Sequence, residues 1–174
     1  MTNWSDLAGR FGPLVWRTAY RLLGSEAEAA DCFQETFLAA VVVCRREEVR
    51  NWAGLFRRLA VTRALDRLRR RGRESRRVEH VEQWGLVPGG HPDPAEQAQA
   101  AELAALLRRA VGRLPRRQAE VFCLRCLEEL SYEQIGSQMN LRANAVGVLL
   151  HRARRRLHEL LAPAAAQQEA ERQP

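Results

Sequence analysis

The sequence predicts an all-α protein with two small helical domains joined by a flexible linker, the second domain carrying a helix-turn-helix. Strand signals are almost absent, because the β-branched run at 41–43 ends an apolar helical stretch. Helix start and stop signals recur along the chain, and 174 residues suffice for one domain or two small ones. A hydrophobic fraction of 46% is typical of a globular protein, and no apolar run approaches the roughly 20 residues of a membrane span.

Three helices are predicted in the first domain. The first covers about 4–23 and ends at a glycine, with Pro13 marking a break or a first-turn position. The second begins at a Ser-x-x-Glu capping box and covers about 25–44. Asn51 can cap a third helix that continues to about residue 71.

The second domain follows a stretch of mixed charge, glycine and proline that is typical of a linker. An Asp-Pro pair at 93–94 predicts a capped helix start, and another helix opens at the Leu-Pro pair 114–115. A second capping box at Ser131 begins a short helix, and a last helix covers about 143–161. The expected boundaries are domain 1–73, linker 74–92, domain 93–162 and a disordered tail 163–174.

The last two helices have the spacing of a helix-turn-helix. Apolar residues at 135 and 139 can face an apolar stripe at 146, 150, 153 and 157, which leaves the opposite side of the last helix basic. A helix that is buried on one face and basic on the other can lie in a major groove. Arg142 and Asn144 stand at the helix start, where base edges are met, and arginines further along can hold phosphates. The alternative is a solvated helix face, and for His151 a packing role is equally open.

The charge of the chain favours a polyanionic partner. All 28 basic residues are arginine against 21 acidic residues, which gives a net charge of +7 and a pI near 10.4. Ten arginines lie in 55–77 and five in 141–157, so two separate nucleic-acid contact surfaces are predicted. Trp52 and Phe56 could stack on bases beside the first cluster, although core positions are the favoured interpretation.

An acidic stripe interrupts this basic composition on the second helix. Glu28, Asp31 and Glu35 are spaced by three and four residues and share one side, with Gln34 adjacent. The stripe could be ordinary surface charge, or it could dock onto a basic protein surface, where complementary charge sets register and association rate. The periodicity alone does not choose between these two interpretations.

The four cysteines predict neither a metal site nor a disulfide framework. The start of the chain has no basic region followed by an apolar stretch, so no secretory signal is expected. Cys123 and Cys126 have metal-like spacing, but no second ligand pair lies nearby, and we interpret them as positions on a buried helix face. A thiol switch is the alternative. We expect no cofactor.

Several segments, in this order, resemble the bacterial RNA polymerase sigma factors of the extracytoplasmic-function (ECF) class. They are AADCFQETF at 29–37, NWAGLFRRLA at 51–60, ALDRLRR at 64–70, LP at 114–115, LSYEQI at 130–135 and LHRAR at 150–154. The resemblance covers most of residues 8–160. At 145 and 147–149 this chain has Ala, Gly, Val and Leu where the family often has Thr, Lys, Ser and Arg, so we expect a promoter preference of its own.

The resemblance implies a role for each surface. Glu28, Asp31, Gln34 and Glu35 look like the part of sigma region two that docks on core RNA polymerase. The loop 44–51 and the third helix look like the elements that read and melt the −10 promoter element, where a flipped base enters a pocket. Its implied contacts are Arg57, Arg63, Asp66, Arg67 and Arg70. The helix-turn-helix looks like region four, which reads the duplex −35 element. Its implied contacts are Arg142, Asn144, Val148, His151, Arg152, Arg154, Arg155 and Arg156.

The sequence therefore predicts a promoter-specificity subunit that binds core RNA polymerase and promoter DNA in the cytoplasm, without membrane insertion. We do not expect this protein to be an enzyme, because its sequence has no nucleophile–base arrangement or phosphate loop. An anti-sigma factor is a further candidate partner. Two alternatives remain open: a helix-turn-helix regulator with an N-terminal sensor domain, which would bind operator duplex by itself, and a protein-interaction adaptor whose arginines are only solvated surface.

Overall fold

A computed structural model of the protein describes residues 2–74 and 94–171, and within them the chain forms helices without strands. This confirms the predicted all-α class. Most of the predicted linker, 75–92, lies outside the described residues. The helices are α1 (Trp4–Leu23), α2 (Glu26–Cys44), α3 (Trp52–Glu74), α4 (Pro94–Gly112), α5 (Arg116–Cys126), α6 (Tyr132–Met139) and α7 (Ala143–Glu171).

Side-chain caps and a left-handed glycine delimit the first three helices. Ser25 accepts a hydrogen bond from the Glu28 backbone N–H at the start of α2, and Asn51 accepts one from Gly54 over 2.9 Å at the start of α3. Gly24 ends α1 with a φ of 72°, a conformation that favours glycine. Pro13 does not break α1, which continues past it to Leu23.

An aromatic cluster fills the space between α1, α2 and α3. Phe56 is fully buried, and its ring lies 5.3 Å from Phe11, 4.7 Å from Phe37 and 6.0 Å from Trp52 between ring centroids. Trp52 is partly buried and also meets Trp4 edge to face. The two rings that could have stacked on bases are therefore core and core-edge residues, as favoured from the sequence.

The last helix is longer than predicted. α7 continues to Glu171, whereas the sequence favoured an end near residue 161 and a disordered tail from 163. The difference has a simple cause, because the segment after Leu161 is rich in alanine, the strongest helix former. Pro163 lies inside the helix.

The two predicted domains share one hydrophobic core. Leu65 and Leu68 of α3 belong to the same buried cluster as Val111 at the end of α4 and Val121 of α5. A Cβ added at Gly112 would lie only 3.3 Å from the Cβ of Leu68, so this glycine lets α4 approach α3 closely. The helix-turn-helix is thereby held against the helix that carries the first arginine cluster.

Candidate nucleic-acid interface

The helix-turn-helix depends on a tight turn between α6 and α7. Ser131 forms the predicted capping box with Gln134 and begins α6. Asn140 ends α6 in the left-handed region with a φ of 52°, and the Leu141 N–H donates to the Gly136 carbonyl over 2.8 Å. A Cβ at Gly136 would lie 2.6 Å from the Leu141 carbonyl oxygen, so the turn requires glycine at this position.

The predicted apolar stripe holds α7 against the rest of the second domain. Val146, Leu150, Ala153 and Leu157 are each at most 5% exposed, and all four lie in the same buried cluster as Ile135 and Met139. Burial of this one stripe forces the other side of α7 outward. The predicted burial of this stripe, and with it the outward placement of the basic face of α7, is confirmed.

The outward side of α7 forms the wall of a shallow surface groove. Four predicted −35 residues line it: Asn144, Val148, His151 and Arg152. Tyr132, Ala143 and Gly147 complete the lining. Arg142, at the turn just before α7, is exposed. The groove therefore combines an amide, an imidazole and one guanidinium group with apolar and aromatic residues, and the Arg142 guanidinium lies at the turn before it.

Three further arginines continue along α7 beyond the groove. Arg154, Arg155 and Arg156 are exposed. Glu159 neutralises part of this charge, with Arg155 at 3.7 Å and Arg156 at 2.9 Å from its carboxylate. The hydrogen bond from Arg156 is the main cause that lowers the pKa of Glu159, and the charges of Arg156 and Arg155 lower it further. Such exposed pairs are weak, so the guanidinium groups remain able to turn towards a phosphate.

The predicted polymerase-docking residues form a ridge on α2 beside α3. Asp31 is the most exposed of the three acids, at 63% of its side chain, followed by Glu35 at 40% and Glu28 at 28%. All three are ion-paired with α3, because Arg67 contacts Asp31 and Glu35 while Arg71 contacts Glu28. Gln34 is exposed on the same helix. The carboxylates therefore offer their outer edges to a partner while their inner edges face arginine.

Arg67 is fixed in its charged state by this arrangement. Burial opposes its charge, but the hydrogen bond to Glu35 and the negative charges of Glu35 and Asp31 outweigh burial and raise the pKa of Arg67. The guanidinium lies 2.6 Å from Glu35 and 3.3 Å from Asp31. Arg67 thus joins two helices, in addition to any contact with DNA.

The structure does not bring the five predicted −10 residues to one exposed patch. Arg57 points to the second domain, with its Nε 3.3 Å from the Glu128 carboxylate, and Asp66 pairs with Arg69 and Arg116. Arg67 faces α2, as described above. Arg63 is partly buried, and Arg70 is the one exposed member of the predicted set. Arg63 and Arg70 are seven residues apart and so lie on one side of α3.

Sequence reasoning gave three exposed residues of these surfaces too little weight. Leu38 and Val42 are 67% and 48% exposed and continue the Asp31–Glu35 stripe at spacings of three and four residues. Continuing the acidic periodicity into the apolar residues would have identified them. Tyr132 was considered only as part of a capping box, yet its ring is 37% exposed and lines the groove on α7.

The cysteine interpretation is half right. Cys123 is buried, and burial raises the pKa of its thiol, whereas Cys126 is exposed because α5 ends there. Cys32 is also buried, and burial raises the pKa of its thiol to about 11. Within 2–74 and 97–163, no group of His, Cys, Asp or Glu residues is placed to hold a metal ion. None of the helices in the described segments is long and apolar enough to cross a bilayer.

Comparison with known families identifies the two helical domains. Residues 7–74 match the family Sigma-70 region 2, and residues 104–157 match Sigma-70, region 4. The chain belongs to the sigma-70 family. The ECF resemblance stated from the sequence is confirmed, since both relatives described next carry that class in their names.

Two curated sigma factors are similar over most of this chain. The ECF RNA polymerase sigma factor SigE of Mycolicibacterium smegmatis is 34% identical over 165 residues, which cover 93% of this chain and 63% of that protein. SigW of Bacillus subtilis, also named an ECF RNA polymerase sigma factor, is 24% identical over 164 residues, which cover 90% of this chain and 88% of the relative. This sigma-70 chain therefore spans less than two thirds of the length of the mycobacterial relative.

A solved structure has the same fold. The sigma factor RpoE of Bartonella quintana, solved in complex with the anti-sigma factor NepR, superposes with a TM-score of 0.56 at 21% identity. The match covers 91% of this chain and 96% of that one. The helical architecture described above is thus that of a known sigma factor.

Proposed function

We propose that this protein is a promoter-specificity subunit that binds core RNA polymerase and directs transcription initiation by recognising −10 and −35 elements. The observation that carries the proposal is the order of the two sigma regions, together with the exposed basic face of α7 in the second one. The family consists of promoter-recognition subunits, which indicates a non-enzymatic role. Binding to core polymerase places the protein in the cytoplasm.

Each part of the chain has a proposed task. Residues 1–73 dock on core polymerase and contact the melted −10 element, and residues 93–162 read the −35 element as duplex. The docking ridge is Glu28, Asp31, Gln34 and Glu35, extended by the exposed apolar residues Leu38 and Val42. Complementary charge on the polymerase would set the register, and the apolar extension would supply buried area.

The −10 contact is assigned to α3. Arg63 and Arg70 lie on one side of this helix, and Arg57, Asp66 and Arg67 become available only by exchanging their present partners. Melted DNA is held by basic side chains along its backbone, with strong dependence on salt. α3 fits this task once the second domain has moved away from the first turns of α3.

The −35 contact is assigned to the groove and to the arginines that follow it. Asn144 can form two hydrogen bonds with adenine, and Arg142 can form two with guanine. Arg152, Arg154, Arg155 and Arg156 are placed along the exposed side of α7 to hold phosphates, which positions the helix without specifying sequence. Val148 and His151 lie between these two groups on the groove wall.

The two elements cannot be read while the domains are packed together. The positions −35 and −10 are about 25 base pairs apart, or about 85 Å of duplex at roughly 3.4 Å per pair. In the structure, the Arg58 guanidinium of α3 lies 2.5 Å from the Gln138 carbonyl in the helix-turn-helix. The 19 residues between Glu74 and Pro94 can span at most about 65 Å. Domain separation is therefore part of the proposed mechanism.

The experiment that tests the proposal separates a sigma factor from an autonomous regulator. Gel shifts on genomic promoter duplexes are run with the chain alone, core polymerase alone and both together. We expect specific complexes only with both proteins, because core polymerase holds the two weak DNA contacts at high effective concentration. Tight, sequence-specific binding by the chain alone would instead identify a helix-turn-helix regulator.

An anti-sigma factor is a proposed second partner. The support is limited to one relative of the same fold, the Bartonella RpoE, which was solved with such a partner. Co-expression with candidate proteins encoded beside this chain, followed by tandem purification, tests the assignment. Failure of every candidate to inhibit polymerase-dependent initiation would remove it.

A further inference from the structure

Apolar residues line part of the groove on α7, beside its polar residues. Tyr132 and Val148 are 37% and 50% exposed, and both line the groove with Gly147 between them in space. A Cβ at Gly147 would lie 3.5 Å from the Tyr132 ring, so the ring packs directly against the α7 backbone. The missing side chain at 147 leaves the ring edge and Val148 open to whatever enters the groove.

We propose that Tyr132, Gly147 and Val148 form a contact site for the 5-methyl group of a thymine in the −35 duplex. This inference rests on the proposed function. Along the major-groove edges of the bases, hydrogen-bonding groups dominate, and the thymine methyl is the apolar group that an apolar patch can recognise. Asn144 lines the same groove and suits adenine, so the groove as a whole fits a site rich in A·T pairs.

The patch is rigid enough to discriminate one methyl group. Tyr132 is the first residue of α6 and directly follows the N-cap residue Ser131, so its backbone is fixed by the capping box. The guanidinium carbon of Arg125 lies 5.9 Å from the Tyr132 ring centroid. A ring that contacts both a helix backbone and a cation loses little freedom when a base arrives.

Replacing thymine with deoxyuridine tests the inference, because this change removes the methyl group and leaves the hydrogen-bonding edges unchanged. Holoenzyme made from the full chain and core polymerase is titrated against promoters in which each −35 thymine is replaced in turn. We expect about fourfold weaker binding at one or two positions, the value of one buried methyl group. Tyr132→Ala and Val148→Ala should bring the ratio of thymine to uracil binding close to one.

Two controls complete this experiment. Tyr132→Phe keeps the ring and should keep the discrimination, and Leu103→Ala removes an exposed leucine elsewhere and should not affect it. If wild-type holoenzyme requires the −35 element but ignores every thymine methyl, the methyl site is refuted while the proposed function stands. If initiation does not depend on the −35 element at all, the proposed function and the methyl site fail together.

Discussion

The Arg67 guanidinium donates to the Glu35 carboxylate over 2.6 Å and joins α3 to α2. A second contact runs from Arg67 to Asp31 at 3.3 Å. Sequence reasoning assigned Arg67 to DNA and both acids to polymerase, yet in the folded chain these groups bind one another. Arg67 therefore connects the docking ridge to the −10 helix, in addition to the ion pair between Arg71 and Glu28.

Arg67→Ala should destabilise the first domain. The Arg67 side chain is only 15% exposed, so its removal leaves two carboxylates facing each other beside a largely buried site. We expect a loss of about 1–2 kcal/mol in the free energy of unfolding, at or below the usual range for hydrogen bonds to charged groups, because both carboxylates are more than a third exposed. Urea denaturation measures it, with the exposed Arg70→Ala as the matched control. Equal stability of both variants would show that the ion pairs contribute nothing.

Reversal of charge at Asp31 should abolish association with core polymerase. Asp31 is the most exposed acid of the ridge, so Asp31→Arg changes the surface while the hydrogen bond between Arg67 and Glu35 stays. Glu102→Arg makes the same change of charge at an exposed site on α4 and should bind normally. Co-purification with tagged core polymerase measures the effect. Normal yield of the Asp31→Arg complex would refute the docking assignment.

Gly136→Ala should destabilise the helix-turn-helix by about 1–3 kcal/mol, as overpacking does. The added Cβ would lie 2.6 Å from the Leu141 carbonyl oxygen, and backbone must shift to make room. Gly72→Ala is the control, because nothing lies within 4 Å of that site in α3 and alanine there should stabilise by about 0.5–1 kcal/mol. Thermal melts give both values. A neutral Gly136→Ala would mean that the turn is looser than described.

Two pairs of substitutions on the −35 surface should have different kinds of effect on DNA binding. Arg142→Ala with Asn144→Ala should change which −35 sequences are preferred. Arg155→Ala with Arg156→Ala should weaken all sequences alike and reduce the salt dependence of holoenzyme binding by about 0.9 per lost phosphate contact. Selection from a randomised −35 library, repeated at several salt concentrations, separates the two effects. Identical, sequence-blind losses would contradict the division into reading and clamping residues.

The thiols should react in the order of their exposure. Cys126 is exposed, whereas burial raises the pKa of Cys32 to about 11 and also raises that of Cys123. Iodoacetamide at pH 8 should therefore label Cys126 and leave Cys32 and Cys123 intact until the protein unfolds, as peptide mass mapping would show. Fast labelling of Cys32 in folded protein would contradict its burial.

The raised pKa of Cys32 also makes the stability of the protein depend on pH. Its contribution is fully present below the ordinary thiol pKa of 9.0 and is lost as the pH rises towards about 11. The cost of Cys32→Ala should therefore shrink over that interval in urea titrations. A cost that stays constant up to pH 11 would show that burial does not raise the pKa of this thiol above its value in the unfolded chain.

Periodicity was sufficient for the parts of the fold that depend on local spacing. The stripe at 146, 150, 153 and 157 could be predicted because one helix face must be buried wherever the partner lies. The capping box at Ser131 was visible for the same reason, since both of its groups lie within four residues. The end of α7 was missed because alanine propensity outweighed the low-complexity composition after residue 161.

Pairings between distant segments could not be predicted in this way. In the sequence, Glu128 is one of two adjacent acids, a pattern typical of exposed surface. Its burial depends on Thr18, which lies 110 residues away. Arg57 and Arg67 read as free cations in a basic cluster, because sequence spacing shows which side chains share a face and not which helix covers that face. The docking and DNA contacts of the individual side chains remain predictions.

In vitro transcription on a genomic fragment library, with start sites mapped by sequencing, tests the central claim most directly. Core polymerase is compared with and without the purified chain. We predict new start sites that share one −10 and one −35 sequence at fixed spacing and that vanish with the Asp31→Arg variant. An unchanged set of start sites at saturating concentrations of the chain would contradict the account.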